Sequence, residues 1–301
     1  MAMSITTIAP FAPARPWCGG VVSGLAICAN GAATTGAGAT DAGRFSVLDP
    51  VAGTQQAYQM TGAASHTLGY GKWGDVHGGG VVCAFSNSAS SSLVQLVRMY
   101  TDGSYDLLPT TGTSMLSPEV VTVGSRFWLF SSHPTTTNAP RVYDITTGSM
   151  VTTSMAAVAG GAQSVYLGGA LYHWATTTGI LYKYDATTFT RTTVTTLGFS
   201  VGSQAVVIGT KAYWVDNTKV IELESSTDTV TQYTTGVTFN SSLTLGADGR
   251  LYGASSASLT AINSWDPATL GSTSDSTGVS GLSQHQMAFT ASSKLCFPAA
   301  S

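Results

Sequence analysis

Apolar and polar positions alternate along this chain in short runs of five or six residues, each closed by Gly, Asn, Asp or a Ser/Thr pair. Such runs read as strands joined by tight turns. Residues 202–236 show the pattern best, with predicted strands at 204–208, 211–216, 219–224 and 229–233 separated by Gly209, Asn217 and Ser225-Ser226. Comparable sets of four fall at 164–167, 170–175, 180–185 and 190–196, and at 119–123, 126–131, 141–145 and 150–154. The second run of a set is almost continuously apolar, as in Phe127-Trp128-Leu129-Phe130, Leu171-Tyr172-His173-Trp174 and Ala212-Tyr213-Trp214-Val215. A strand covered on both faces has this character. Trp128, Trp174 and Trp214, four or five residues after Gly124, Gly169 and Gly209, are therefore expected to pack between neighbouring sheets.

Between the third and fourth run of each set stands a recurring phrase: an apolar or aromatic residue, an acid, then small polar residues. It reads Leu48-Asp49-Pro50, Tyr143-Asp144-Ile145, Tyr184-Asp185-Ala186, Leu223-Glu224-Ser225 and Trp265-Asp266-Pro267, with a shorter form at Tyr100-Thr101-Asp102. The acids lie 53, 42, 41, 39 and 42 residues apart, and a fixed period near 40 marks a repeat architecture. Their side chains are expected to accept backbone N–H groups two residues on, as Asx turns do.

Four strands per repeat resembles the blade of the β-propeller superfamily, over essentially the whole chain. The resemblance is architectural: Trp265-Asp266 matches the Trp-Asp dipeptide of one propeller class once only, and the Gly-Gly doublets of another do not recur as a series. It implies an all-β fold in a single domain, 1–301, of four-stranded antiparallel blades. The expected blades are 17–62, 63–112, 115–156, 161–198, 202–236, 240–278 and a seventh made of 282–301 with 1–12. In that seventh blade residues 4–8 supply the missing strand and close the ring, which removes exposed edges. Six blades is the alternative, with the final hairpin covering an edge.

Composition narrows the partners. Charged residues make up 9% of the chain and the net charge is −3, with seven Arg and five Lys scattered singly, so no basic stripe suits a phosphate backbone. No run approaches the roughly 18 apolar residues that span a bilayer. Residues 1–10 lack a basic leader and an unbroken apolar core, so no secretory signal is expected there. Cys18, Cys28, Cys83 and Cys296 lack metal-ligand spacing. They read as buried free thiols, or with Cys18 bridged to Cys28 across the first hairpin.

Candidate chemistry is thin. Asp75-Val76-His77-Gly78-Gly79-Gly80 is the most site-like segment, because alternation puts Asp75 and His77 on one face of a strand; two ligands are half a metal site, and a local hydrogen bond is the plainer expectation. Trp17, Trp73 and Trp265 lie outside the packing column and are the candidates to stack on a sugar. No catalytic residue, cofactor or metal is expected. The leading functional reading is a non-enzymatic structural or attachment protein of a bacteriophage virion, a tail, fibre or decoration component. Its partners would be other virion proteins and a host surface glycan or receptor, without nucleic acid or membrane insertion. It rests on the low charge and the Ser/Thr/Gly-rich β-structure, which resemble tail and fibre proteins. A carbohydrate-binding propeller, extracellular, is the alternative. A glycosidase or lyase ranks behind both and needs two convergent carboxylates.

Overall fold

The computed structural model describes residues 16–30, 43–60, 73–86, 94–108, 115, 117–131, 137–151, 154–175, 178–240, 242–256, 260–277, 283–284, 288–297 and 299–300. Its regular elements are all strands. Six antiparallel sheets follow one another along the chain, their strands pairing in chain order, with a short separate ladder of Thr137–Asn138 against Val158–Ala159 beside the third. The first blade is Pro16–Val22, Leu25–Asn30, Arg44–Asp49 and Thr54–Gln59; the second is Asp75–His77, Gly80–Ser86, Val94–Met99 and Tyr105–Leu107. The third blade uses Pro118–Val123, Arg126–Ser131, Arg141–Asp144 and Ser149–Val151, and the fourth Val165–Leu167, Ala170–Ala175, Ile180–Asp185 and Arg191–Thr196. In the fifth, Val206–Ile208 leads into the long run Lys211–Glu224, which turns back on itself at Asn217 (φ 54°) before Thr229–Phe239. That reversal puts Thr210 O against Ser225 N at 3.0 Å and Lys211 Nζ against Glu222 at 2.8 Å. Thr244–Leu245, Leu251–Ala254, Ala261–Trp265 and Ser272–Ser276 make the sixth.

The architecture is a β-propeller of six blades, which corrects the expected seven. After the sixth blade the chain forms a two-stranded hairpin, Phe289–Ala291 with Lys294–Cys296, extended by Ser283–Gln284 with Ala299–Ala300. About 20 residues supply two strands where a blade needs four; residues 4–8 lie outside the described residues. The hairpin wedges between the sixth blade and the first. Thr290 meets Thr244 at 3.1 Å on one side, and Ser292 Oγ donates to Gly24 O at 3.1 Å on the other.

The acidic phrase sits at the third-to-fourth-strand turns, and its carboxylates hold those turns. Asp49 Oδ1 accepts from Val51 N and Ala52 N at 2.8 and 2.9 Å, Asp144 from Thr146 N and Thr147 N, Asp185 from Thr187 N and Thr188 N, and Asp266 from Ala268 N. Glu224 and Asp102 hold Ser226 and Ser104 in the same way. In three blades a cation at the start of the second strand stands opposite: Arg126 to Asp144, Arg250 to Asp266, and Lys211 beside Glu222.

Blade faces are apolar and meet without solvent. Trp128, Trp174 and Trp214 are fully buried as expected, with Trp174 and Trp214 edge to face at 5.8 Å across the fourth and fifth blades. Between blades one and two the apolar contact is covalent as well. Cys18 is bonded to Cys83, a correction to both readings of the cysteines, while Cys28 and Cys296 are free and buried. Register explains it: Cys18 pairs with Ala29, and Cys28 with Gly19, so Cys18 and Cys28 project to opposite faces of their sheet. Cys18 joins the cluster shared with blade two; Cys28 packs with Cys296 of the closing hairpin.

Nearer the centre, hydrogen bonds tie the first strands of blades two to five to one another in turn and blade five to the closing hairpin. Val120 N donates to Trp73 O at 3.1 Å, Ser164 N to the Glu119 carboxylate at 3.2 Å, Ala205 N to Gln163 Oε1 at 3.0 Å and Ala288 N to Gln204 Oε1 at 2.8 Å. Trp73, Gln163 and Gln204 stand three residues before the middle of their first strands and Ser164, Ala205 and Ala288 two before the middle of the strand they meet, while Glu119 and Val120 lie within the longer first strand of blade three. An inner strand ends its sheet's ladder, so its outward N–H groups need partners from elsewhere, and the neighbouring blade provides them.

Three outcomes are expected. Cys83→Ala frees a loop of 65 residues and should lower the unfolding free energy by about 3 kcal/mol, read from denaturant melts under non-reducing conditions. Glu119→Ala, which strips a fully buried acceptor, should cost about 3 kcal/mol, against about 1 kcal/mol for Gln163→Ala at its half-buried position. The carboxylates of Asp102, Asp185, Glu224 and Asp266 are held below their usual range, chiefly by the turn hydrogen bonds. A lowered folded-state pKa gives stability that is complete above the ordinary carboxylate range and lost as pH falls through the lowered values. The melting temperature should therefore drop as the pH falls below the ordinary carboxylate range near about 4, and Asp185→Asn with Asp266→Asn should flatten that drop.

Candidate functional site

Of the residues singled out by sequence, two are withdrawn from any surface. Trp73 is 2% exposed and packs with Ala26, Leu48 and Phe289; Trp265 is fully buried against Tyr213 and Tyr233 at 6.1 and 5.3 Å. Neither indole has a face to offer a sugar, which corrects their assignment as stacking platforms. Trp17 falls in the strand Pro16–Val22, and its side chain lies outside the described residues.

Asp75 and His77 do share one strand, but each is bound into the frame. Asp75 Oδ2 accepts from Thr122 N of blade three at 2.6 Å and Oδ1 from Val76 N at 2.8 Å. Burial nevertheless outweighs these bonds and raises its pKa. His77 Nδ1 stands 3.2 Å from Arg98 Nη2, and its ring meets Phe127 edge-on at 5.1 Å. Burial first, then Arg98, lowers its pKa, which favours the neutral ring. The glycines that follow are structural: Gly78 and Gly79 take φ of 59° and 78° in a two-residue turn, and a Cβ on Gly80 would fall 2.7 Å from Met99 O. Among the described residues no group of three or more His, Cys, Asp or Glu is placed to hold a metal ion.

Sequence reasoning missed the most concentrated polar cluster, Glu119, Ser164 and His173. Ser164 Oγ donates to Glu119 Oε1, and His173 Nδ1 lies 2.7 Å from the same hydroxyl and 3.6 Å from the carboxylate. The hydroxyl has one proton; once it is given to Glu119, His173 Nδ1 must carry the other. His173 stacks on Phe130 at 4.6 Å, and its Nε2 has no hydrogen-bond partner among the described residues. These are the residue types of a hydrolytic triad in a different arrangement. A triad needs the hydroxyl on one ring nitrogen and the carboxylate on the other, whereas here both meet at Nδ1. All three side chains are also sealed from solvent, at 0, 3 and 0% exposure for Glu119, Ser164 and His173. The cluster clamps blade three to blade four. Its sequence signal was a Glu or Gln two residues before a Val, at Glu119-Val120-Val121, Gln163-Ser164-Val165 and Gln204-Ala205-Val206, spaced 44 and 41.

What the polar ring leaves open is apolar. Val76, Tyr166 and Val207 occupy the same middle position of the first strand in blades two, four and five, and are 45, 42 and 42% exposed. Val21 and Leu245 hold it in blades one and six, half-buried. Beside them, between the first strands of blades five, six and one and the closing hairpin, lies a recess of about 520 Å³ that is wide open to solvent. Among the described residues no ionisable side chain lines it. The carboxylates of the acidic phrase are instead spent in the turns of the blade rim, and Asp228 in a bridge from blade five to Lys183 and Tyr172 of blade four at 2.7 Å each.

The sequence matches no family model and no curated protein. In fold it is similar to 733 solved chains, and likeness of fold alone does not select a function. One belongs to a nidogen/laminin complex, with a TM-score of 0.55 and 12% identity over 78% of this chain and 90% of that one. Another belongs to a mitotic checkpoint complex, with a TM-score of 0.63 and 10% identity over 97% of this chain and 89% of that one. Likeness at this identity concerns the fold, and with the strand order it establishes a six-bladed β-propeller.

Proposed function

We propose that the chain is a non-enzymatic attachment module, a rigid propeller that meets its partner at the central channel and serves as a tail, fibre or decoration component of a virion. The observation that carries this reading is the repeated exposure of Val76, Tyr166 and Val207 on the innermost strands. Large apolar side chains grouped around an opening mark an interaction surface. The Cys18–Cys83 bond suits an oxidising setting such as a virion surface, and the low charge suits the composition of such proteins. The two propellers cited above were solved in protein complexes, which favours contact with protein over chemistry on a small substrate. The partners are other virion proteins and a host surface glycan or receptor.

Purified chain should compete with intact particles for adsorption to host cells. Tyr166→Asp combined with Val207→Asp should weaken that competition at least about ten-fold while leaving the melting temperature within a few degrees. Competition unchanged by the double variant would overturn the contact surface. Binding confined to a glycan array, at several equivalent sites and with no incorporation into particles, would replace the virion role by that of a lectin.

A further inference from the structure

All four cysteines of the chain gather on blade one and the two segments that flank it. Cys18 and Cys28 stand on neighbouring strands of that blade but project to opposite faces, because Cys18 pairs with Ala29 and Cys28 with Gly19. Each face meets a further cysteine. On one side Cys18 is bonded to Cys83 of blade two. On the other, Cys28 lies in one apolar cluster with Phe289, Ala291 and Cys296 of the closing hairpin. Blade one thus sets a thiol toward a thiol on both sides, and the first pair is bonded while the second is free.

The free pair is placed to follow the bonded one. Cys28 is fully buried, and its thiol is pushed far up, first by burial and then by the nearness of Cys296. A charge on one sulfur is felt by the other. Burial also raises the Cys296 thiol, but the Ala291 N–H and the Lys294 ammonium pull the other way, and an exposure of 8% makes Cys296 the reachable member. Its hairpin, Phe289–Ala291 with Lys294–Cys296, has three residues in each strand, and so small a unit opens locally more readily than a four-stranded blade. We propose that Cys28 and Cys296 are a redox clasp, a second disulfide that fastens the closing hairpin to blade one and locks the ring where the chain's last strands meet its first. The bond forms by exchange with a small-molecule disulfide such as oxidised glutathione. The Cys296 thiolate attacks one glutathione sulfur, the glutathione S–S bond breaks, and the departing thiolate takes up the proton that Cys296 gave up. Cys28 then attacks the Cys296 sulfur, expels the second glutathione as thiolate and passes its proton to it. Two protein thiols become one disulfide, and one glutathione disulfide becomes two thiols. A chain that holds Cys18–Cys83 suits the oxidising surroundings in which this exchange runs forward. The clasp is independent of the attachment surface proposed above.

The test takes the folded full chain through glutathione buffers from reduced to oxidised, caps the remaining thiols with iodoacetamide in denaturant, and maps the peptides by mass spectrometry. Cys28 and Cys296 should both be capped in the reduced buffer and joined to one another in the oxidised one. The melting temperature should rise with the joined fraction, at least about 5 °C beyond any rise in Cys296→Ala, because the bond closes nearly the whole chain into a loop. In that variant only Cys18–Cys83 remains to form. If Cys296→Ala folds poorly, the peptide map of the unaltered chain decides the matter. Both thiols still capped after equilibration in the oxidised buffer, Cys28 joined to Cys18 or Cys83 instead, or a melting temperature that stays put as the bond forms would overturn the proposal.

Discussion

An inner strand of a propeller has one edge in its own ladder and one facing out of it, and backbone N–H groups on that second edge must find partners. The rest of this structure depends on how they do so. Trp73 O, Glu119, Gln163 and Gln204 each take one such N–H from another sector of the ring. The bonds fix the angle between blades, and the apolar faces of Trp128, Trp174 and Trp214 then close without voids large enough to admit solvent. One tie is covalent, Cys18 to Cys83.

This arrangement engages described groups of the kind that elsewhere do chemistry. Asp75 is bound to Thr122, Glu119 to Ser164 and His173, and the rim carboxylates to their own turns. Among the described residues, what faces the surroundings there is a set of apolar positions on the innermost strands and an open recess beside them. The attachment role proposed above rests on that division, with these polar groups held where they stabilise the ring. Where the ring is tied differently, at Gln204, the packing opens.

Local signals were legible wherever geometry is local. The acidic phrase stood out in the sequence as a turn device and is one, since an Asp carboxylate reaches N–H groups two and three residues on whatever the rest of the chain does. Strand starts in blades three to five fell within two residues of those predicted, because Gly124, Gly169 and Gly209 punctuate near-continuous apolar runs, whereas the last strand of blade five runs to Phe239, six residues past the expected end. Long-range pairings were not legible. The choice of Cys83 over Cys28 as partner for Cys18 turns on a register in which Cys28 stands opposite Gly19, and a one-residue change would have sent it to the other face. Trp73 and Trp265 looked free of the aromatic column because they sit outside the second strands, yet neighbouring blades cover them all the same.

By itself the sequence determined an all-β repeat, its period near 40 residues, its turns and the apolar faces of its blades, because each of these is encoded within a few adjacent residues. The tertiary structure alone decided that six blades and a hairpin close the ring, that a Glu or Gln at intervals of 44 and 41 is a latch, and that Ser164, His173 and Glu119 form a clamp. It also decided where apolar surface stays open. These are properties of contacts between segments far apart in the chain, and such contacts exist only once every blade has taken its place.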